Sequence, residues 1–150
     1  MFALETTLEI RRPVHEVFAF VADQTNAPTW QAGLHEVRRL TDGPIGVGTQ
    51  HEFVRRFAGR ELASRNRIDA YEDGRYVEFE IPEGWLTGRA SYLAEASPDA
   101  SLLTSRVQLS GRGLVAVFEP VLRRLLARDS RKDEAKLKLL LEGEPVQGNA

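Results

Sequence analysis

There is no cysteine among the 150 residues, which excludes a disulfide framework, Cys-ligated zinc and a thiolate nucleophile. An excess of charge of either sign is also missing. Twenty basic residues stand against 22 acidic ones, for a net charge of -2 at pH 7, so the chain as a whole exerts no pull towards nucleic acid or anionic lipid. Long apolar runs are absent too: Phe18 to Ala22 and Leu114 to Phe118 fall far short of the roughly 20 residues that a membrane span needs. Membrane insertion is therefore not expected. The opening Met-Phe-Ala-Leu-Glu segment carries an early acid and no basic region ahead of an apolar stretch, unlike a secretory signal, and a cytoplasmic location is expected. Lysine is scarce: 17 of the 20 basic residues are Arg, and Lys132, Lys136 and Lys138 are the rest, a compositional habit rather than a function.

What is present is ordinary globular material, 42% hydrophobic and 28% charged, at the commonest length for one domain. Phe2 to Ile10 alternates apolar and polar residues with the period of a half-buried strand. Pro13 suits a first helical turn, and Val14, Val17, Phe18 and Val21 follow at helical spacing, predicting a short helix that ends near Asp23. Asn26-Ala-Pro-Thr-Trp30 breaks it, with room for one further helical turn. Six more strands are predicted, over 34–40, 49–57, 61–71, 76–81, 86–96 and 101–111. The turn signals between them (Asp42-Gly-Pro, Ala58-Gly, Glu72-Asp-Gly, Pro82-Glu-Gly, Ser97-Pro-Asp) are too short for parallel crossovers, so the strands pair antiparallel. Leu114 to Leu141 reads as a long helix with Pro120 marking its first turn or a kink, and residues 143–150 as a flexible tail. Only that helix is long enough to cover a sheet with one apolar face. The class is α+β: a curved antiparallel seven-stranded sheet around a long C-terminal helix, with one or two short helices after the first strand. Such a half-open sheet under one helix can hold an internal apolar cavity.

Familiar catalytic motifs are missing. The three histidines each precede a glutamate (His15-Glu16, His35-Glu36, His51-Glu52), but Ala19, Arg39 and Arg55 stand where a zinc-binding helix needs its second histidine. No metal site and no cofactor are expected. No serine lies in a G-x-S-x-G elbow, and Gly43-Pro-Ile-Gly-Val-Gly-Thr49 lacks the lysine of a phosphate loop and enters a strand. The basic residues Arg56, Arg65 and Arg67 interleave with Glu52, Glu61 and Asp69, which suits solvated ion pairs rather than a nucleic-acid track.

Two sets of residues remain. By alternation His51, Arg55 and Asn66 point inward, with Ser64 and Ser105 beside them. An Arg inside an apolar bowl must reach a carboxylate, face a polar group of a ligand, or snorkel out at the strand end. The aromatic set is Trp30, Phe53, Phe57, Phe79, Trp85 and Tyr92, which serves equally as plain core or as cavity wall; Trp85 at a hairpin tip suits a cavity lip. Phe118 and Leu122 on the helix's apolar stripe complete the candidate ligand contacts.

Ile10-Arg-Arg-Pro-Val-His-Glu-Val-Phe-Ala-Phe-Val-Ala-Asp23, then Pro28-Thr-Trp30, then Gly46-Val-Gly-Thr49 entering a strand, and a helix ending in Leu-Lys-Leu-Leu-Leu-Glu142, together resemble the SRPBCC superfamily. These are the START, Bet v 1 and polyketide cyclase/dehydrase-like proteins of helix-grip fold. The resemblance runs from Phe2 to about Glu142 and implies one START-like ligand-binding domain over residues 1–142. It also implies a small hydrophobic ligand, polyketide, lipid or isoprenoid-like, held between sheet and helix. If the chain is an enzyme, the resemblance to polyketide cyclases implies an aldol-type cyclisation or dehydration, with His51 as proton carrier and Arg55 as carbonyl or enolate stabiliser. The alternative is a non-catalytic interaction module of the same fold, and a homodimer is compatible with either.

Overall fold

Alternation of exposure sets the first strand, β1 (Phe2–Ile10): Phe2 and Ile10 are buried, while Ala3, Glu5, Thr7 and Glu9 face solvent. The computed structural model describes residues 1–57, 59–84 and 86–148, and the side chains of all of these except Phe57 and residues 144–148. After Pro13, helix α1 (Val14–Ala22) buries Val17, Phe18, Val21 and Ala22 on one side. A 3-10 turn over Gln24–Thr29 follows, closed where the Trp30 N–H donates to the Ala27 carbonyl at 3.1 Å. The turn brings Trp30 into the same core as α1.

The remaining strands are β2 (Leu34–Arg39), β3 (Gln50–Phe57), β4 (Arg60–Glu72), β5 (Tyr76–Ile81), β6 (Leu86–Ser97) and β7 (Ala100–Gly111). Each lies within a residue or so of the range its alternation predicts. They form one seven-stranded sheet in the order β1-β7-β6-β5-β4-β3-β2, with every neighbouring pair antiparallel. Register shifts at Leu34/Glu36 and at Ile68/Ala70 bend the sheet, as bulges do. Gly88 of β6 packs its backbone tightly against Gln108 of β7. Its φ is +154°, and a Cβ there would stand 1.8 Å from the Gln108 carbonyl oxygen, so no other residue fits. On the outer face Arg67 and Arg89 pair with Asp69, Glu78 and Glu80, the mixed-sign pattern expected of a solvated surface.

After β7 the chain forms a single turn, α2 (Leu114–Val117), breaks at Phe118, and continues as α3 (Glu119–Gly148). Pro120 therefore sits in the first turn of α3, where its missing N–H leaves no bond unmade. The helix extends beyond Leu141 through Gly143 and Pro145 to Gly148, whereas the sequence reading places a tail from residue 143. A helix already nucleated and packed adds turns without a further nucleation cost. Together, the curved antiparallel sheet and long C-terminal helix make the helix-grip fold. No described helix is long and apolar enough to cross a membrane.

The main core gathers Ile10, Phe18, Trp30, Ile68, Val77 and Leu103 with Leu137 and Leu141 of α3. Those two leucines are the buried apolar side chains that α3 contributes among the described residues. Leu137 is fully buried, and Leu139, two residues on, is 74% exposed. Leu137→Ala should therefore lower the unfolding free energy by about 2–5 kcal/mol, while Leu139→Ala should change it by less than about 0.5 kcal/mol. Urea denaturation of both variants checks the assignment; similar losses at the two positions would mean that α3 is not anchored as described.

Candidate functional site

Because α3 enters the core through Leu137 and Leu141, its earlier turns stand off the concave face of the sheet. The space between is a cavity of about 450 Å³, within the range of small-molecule sites. Phe53 of β3, Phe79 of β5, Tyr92 of β6, Val107 of β7 and Leu126 of α3 supply apolar wall. Tyr92 is the hinge of an aromatic cluster, with edge-on contacts to Trp30 at 6.5 Å and to Phe79 at 6.2 Å between ring centroids. Edge-to-face geometry at this separation is the favourable one for aromatic pairs.

The wall also carries polar groups whose hydrogen-bonding capacity is incompletely used. Asn66, 6% exposed, donates through Nδ2 to Gln24 Oε1 at 3.3 Å, while its Oδ1 is buried without a partner. Trp30, 5% exposed, has its Nε1–H buried and equally unpartnered. An orphaned buried donor or acceptor costs about 1–3 kcal/mol. Both groups, unpartnered among the described residues, belong to side chains that line one cavity, which makes its wall polar as well as aromatic.

Across the cavity stand Arg55 on β3 and the neighbouring carboxylates Asp133 and Glu134 on α3. Much of Arg55's surface is accessible because it faces open cavity space; the surrounding protein still lowers its pKa by desolvation, with Asp133 opposing. Burial likewise raises the pKa of Asp133 and of Glu134. The Ala32 N–H, donating to Asp133 Oδ1 at 3.3 Å, works against the first shift, and the Thr6 hydroxyl, donating to Glu134 Oε2 at 2.6 Å, against the second. Burial also pushes the Tyr92 phenol well above its usual value, and the two carboxylates add to that shift. Arg55 and Asp133 thus sense each other's charge, yet among the described residues Arg55 closes no ion pair.

The candidate residues divide accordingly. Trp30, Phe53, Arg55, Asn66, Phe79 and Tyr92 line the cavity. His51 does not. It is inward-facing and fully buried, paired in register with Asn66, but it lies beyond the cavity wall with both ring nitrogens unpartnered, so it cannot carry a proton to anything in the cavity as placed. Phe118 and Leu122 do not line the cavity either. The break at Phe118 leaves that residue 57% exposed, and Leu126, one turn after Leu122, is the first α3 side chain on the wall. Trp85 and the Phe57 side chain lie outside the described residues.

Asp133 and Glu134 are site residues that the sequence reading missed. Their signal was available: Leu126, Ser130, Asp133, Glu134, Leu137 and Leu141 share one helical face, and a polar interruption of an apolar stripe is what a helix spanning first a cavity and then a core should carry. Among the described residues no group of three His, Asp or Glu side chains is placed to hold a metal ion.

A model of the family described as polyketide cyclase / dehydrase and lipid transport matches residues 1–142. The fold is also that of solved structures at low sequence identity. A START superfamily protein from Mycobacterium smegmatis superposes with a TM-score of 0.77 at 12% identity, over 94% of this chain and 97% of that one. The di-domain ARO/CYC StfQ from the steffimycin biosynthetic pathway gives 0.75 at 11% identity, over 97% of this chain and 52% of its own length, so this chain spans about half of that protein. The major latex-like protein 151 of Panax ginseng gives 0.63 at 15%, over 89% and 95%. No curated protein matches the chain at a significant level of sequence similarity.

The buried His51 makes a prediction about pH. Burial lowers its pKa below the ordinary 6.5, with Asp23 opposing and Arg39 adding to the shift. Just below 6.5 the unfolded chain therefore binds a proton that the folded chain refuses, and stability falls as pH drops through that value. Asp133 and Glu134, whose folded pKa values are raised, act with the opposite sign: stability rises as pH falls through those raised values. The readout is accordingly a difference. Between about pH 7 and pH 5, the unfolding free energy of the wild type should fall more steeply than that of His51→Gln; parallel profiles would show that His51 is not held neutral by the fold.

Proposed function

The chain belongs to the polyketide cyclase / dehydrase and lipid transport family, and from that premise we propose that its cavity binds a small, largely apolar molecule bearing at least one polar or acidic group. The observation that carries this reading is the pairing of a 450 Å³ apolar-walled space with unpartnered polar atoms on Trp30 and Asn66. A polyketide or a lipid with an oxygenated head would suit such a space: its carbon frame against Phe53, Phe79, Tyr92 and Val107, its oxygen towards the polar side of the wall. Arg55 is the group that would read an acid or an enolate, since its planar fork of donors matches two oxygens at once.

A catalytic reading is favoured by one further feature. Asp133 and Glu134 sit side by side on the wall with pKa values raised by burial, the direction that makes a carboxyl a better proton carrier than an exposed one. In a cyclisation or dehydration the cavity would fold the substrate, a carboxylate would move the proton, and Arg55 would stabilise the oxyanion. On this geometry the proton carrier is a helix carboxylate and not His51.

Native mass spectrometry of the purified protein, looking for a co-purified apolar molecule, and titration with an environment-sensitive apolar dye are the direct tests. The dye should bind with about 1:1 stoichiometry. Ser105→Trp, which fills the cavity from β7, should abolish that binding while leaving the thermal transition cooperative; retained binding would place the dye elsewhere and remove the support for this site. Arg55→Met keeps the length and deletes the charge. It should weaken aromatic acids by about 1.5–3 kcal/mol, the scale of a charge-assisted hydrogen bond, and leave their methyl esters unchanged. Equal losses for acid and ester, or none, would remove Arg55 as the anion reader.

A further inference from the structure

Outside the cavity, α2 and the first turns of α3 present a surface that the fold leaves uncovered. Leu114, Val117, Phe118, Val121 and Leu125 are 81%, 71%, 57%, 56% and 49% exposed. They recur at i, i+3, i+4, i+7 and i+11, so they form one stripe along the helix rather than scattered exposures. An apolar stripe of this length on a soluble surface marks contact with something.

The same segment concentrates positive charge. Between Arg112 and Lys132 lie six cations, with Arg123, Arg124, Arg128 and Arg131 between them, against only Glu119 and Asp129. The net charge of this stretch is +4, in a chain whose total is -2. Several arginines of the sheet are neutralised locally: Arg38, Arg56, Arg67, Arg89 and Arg106 all sit in ion pairs. None of the six cations between Arg112 and Lys132 does so among the described residues. By helical spacing Arg124 and Arg128 continue the ridge that Val121 and Leu125 begin, while Lys132 reaches the rim of the cavity, so the face runs from apolar to cationic along its length.

From this juxtaposition we propose that the α2–α3 ridge docks on an anionic membrane surface, with Leu114, Val117, Phe118 and Val121 entering the headgroup–acyl boundary and Arg124 and Arg128 meeting the lipid phosphates. An interfacial helix needs this combination of an apolar face and flanking cations. A second copy of the chain fits less well, because a parallel two-fold contact of the ridges would set the cationic halves against each other and an antiparallel one would still offer the ridge arginines no counter-charge. A nucleic acid would neutralise the arginines but offers nothing to Leu114, Val117 and Phe118. The ridge shares its helix with the cavity wall, which begins at Leu126, but the proposal does not depend on what the cavity holds.

The test is co-sedimentation of the full-length protein with vesicles of phosphatidylcholine alone and of phosphatidylcholine with about one-third phosphatidylglycerol. The wild type should bind the anionic vesicles, bind the neutral ones weakly or not at all, and release as salt is raised. Val117→Asp with Val121→Asp, and separately Arg124→Gln with Arg128→Gln, should each weaken the anionic binding by about tenfold or more. All four positions are exposed, so circular dichroism, melting temperature and dye binding in the cavity should stay as in the wild type. No binding to anionic vesicles at low salt, equal binding to both compositions, or binding unaffected by either pair of substitutions overturns the proposal. So does a dimer in sedimentation velocity that Val121→Asp dissociates, since the stripe is then covered by a second copy. Loss of vesicle binding with the cavity intact separates this ridge from the ligand reading.

Discussion

Everything else in the structure depends on how α3 is strapped along β1. Three helix carboxylates reach three points of the strand region. Glu119 accepts from the Met1 ammonium at 2.7 Å, Glu134 from the Thr6 hydroxyl at 2.6 Å, and Glu142 from the Arg11 N–H at 2.8 Å. The two elements run in the same direction, and their lengths agree. Ten residues of strand at about 3.3 Å each cover about 33 Å, and 23 residues of helix at about 1.5 Å each cover about 35 Å. Glu119 also accepts from the Gly111 N–H at 2.8 Å, so the start of the helix is tied to the end of β7 as well. Lys138 adds a bond to the Glu9 carbonyl. Fixed at both ends and in the middle against an edge strand, the helix has one height above the sheet, and the side chains beneath it decide whether that height is filled.

Towards the C-terminal end it is filled, by Leu137 and Leu141 against α1, Trp30 and the middle of the sheet. Towards the other end the helix offers Leu126, Asp129, Ser130, Lys132, Asp133 and Glu134, mostly polar side chains that leave 450 Å³ open. A dry void of that size would cost about 11 kcal/mol at about 24 cal/mol per Å³, as much as a domain's whole stability. Such a space persists only if water or a ligand occupies it, and polar walls are what make water tolerable there. Arg55, Asn66, Ser64, Ser105 and the two carboxylates are therefore not incidental to an apolar pocket. They let the chain fold around a space that it does not itself fill.

How legible this was depended on which coordinate the sequence encodes. Period-2 alternation assigned faces, so the seven strands, the inward Phe53, Arg55, Asn66 and Phe79, and the outward Arg67 were all readable. Alternation says nothing about depth along the strand. His51 and Phe53 point the same way from β3, yet one lies behind the cavity wall and the other on it. Helical period likewise gave the face of the long helix, but not the residue at which the helix crosses the rim of the sheet. Phe118 and Leu122 were assigned to the cavity because they are apolar, whereas the wall starts at Leu126. Asp133 and Glu134 were passed over because charged residues on a long helix usually face solvent. Depth and crossing point are set by the strap to β1, which joins residues more than 100 apart in sequence.

The arrangement of charge completes the division of labour along α3. On the outer face of the sheet, cross-strand neighbours hold arginine and carboxylate together in register: Arg67 with Glu80, and Arg89 with Glu78 and Glu80. Pairs of this exposed kind contribute little to stability, each about 0–1 kcal/mol; their larger effect is to leave that surface without a net field. The cations in the first half of α3 close no such pairs among the described residues, and four of the helix carboxylates are engaged elsewhere, while Asp129 lies at the cavity. Glu119, Glu134 and Glu142 are turned to β1 and Asp133 to the Ala32 N–H. Turning the acids inward to strap the helix and line the cavity leaves the arginines outward and uncompensated. The cationic ridge is thus a geometric consequence of the same contacts that hold the helix in place.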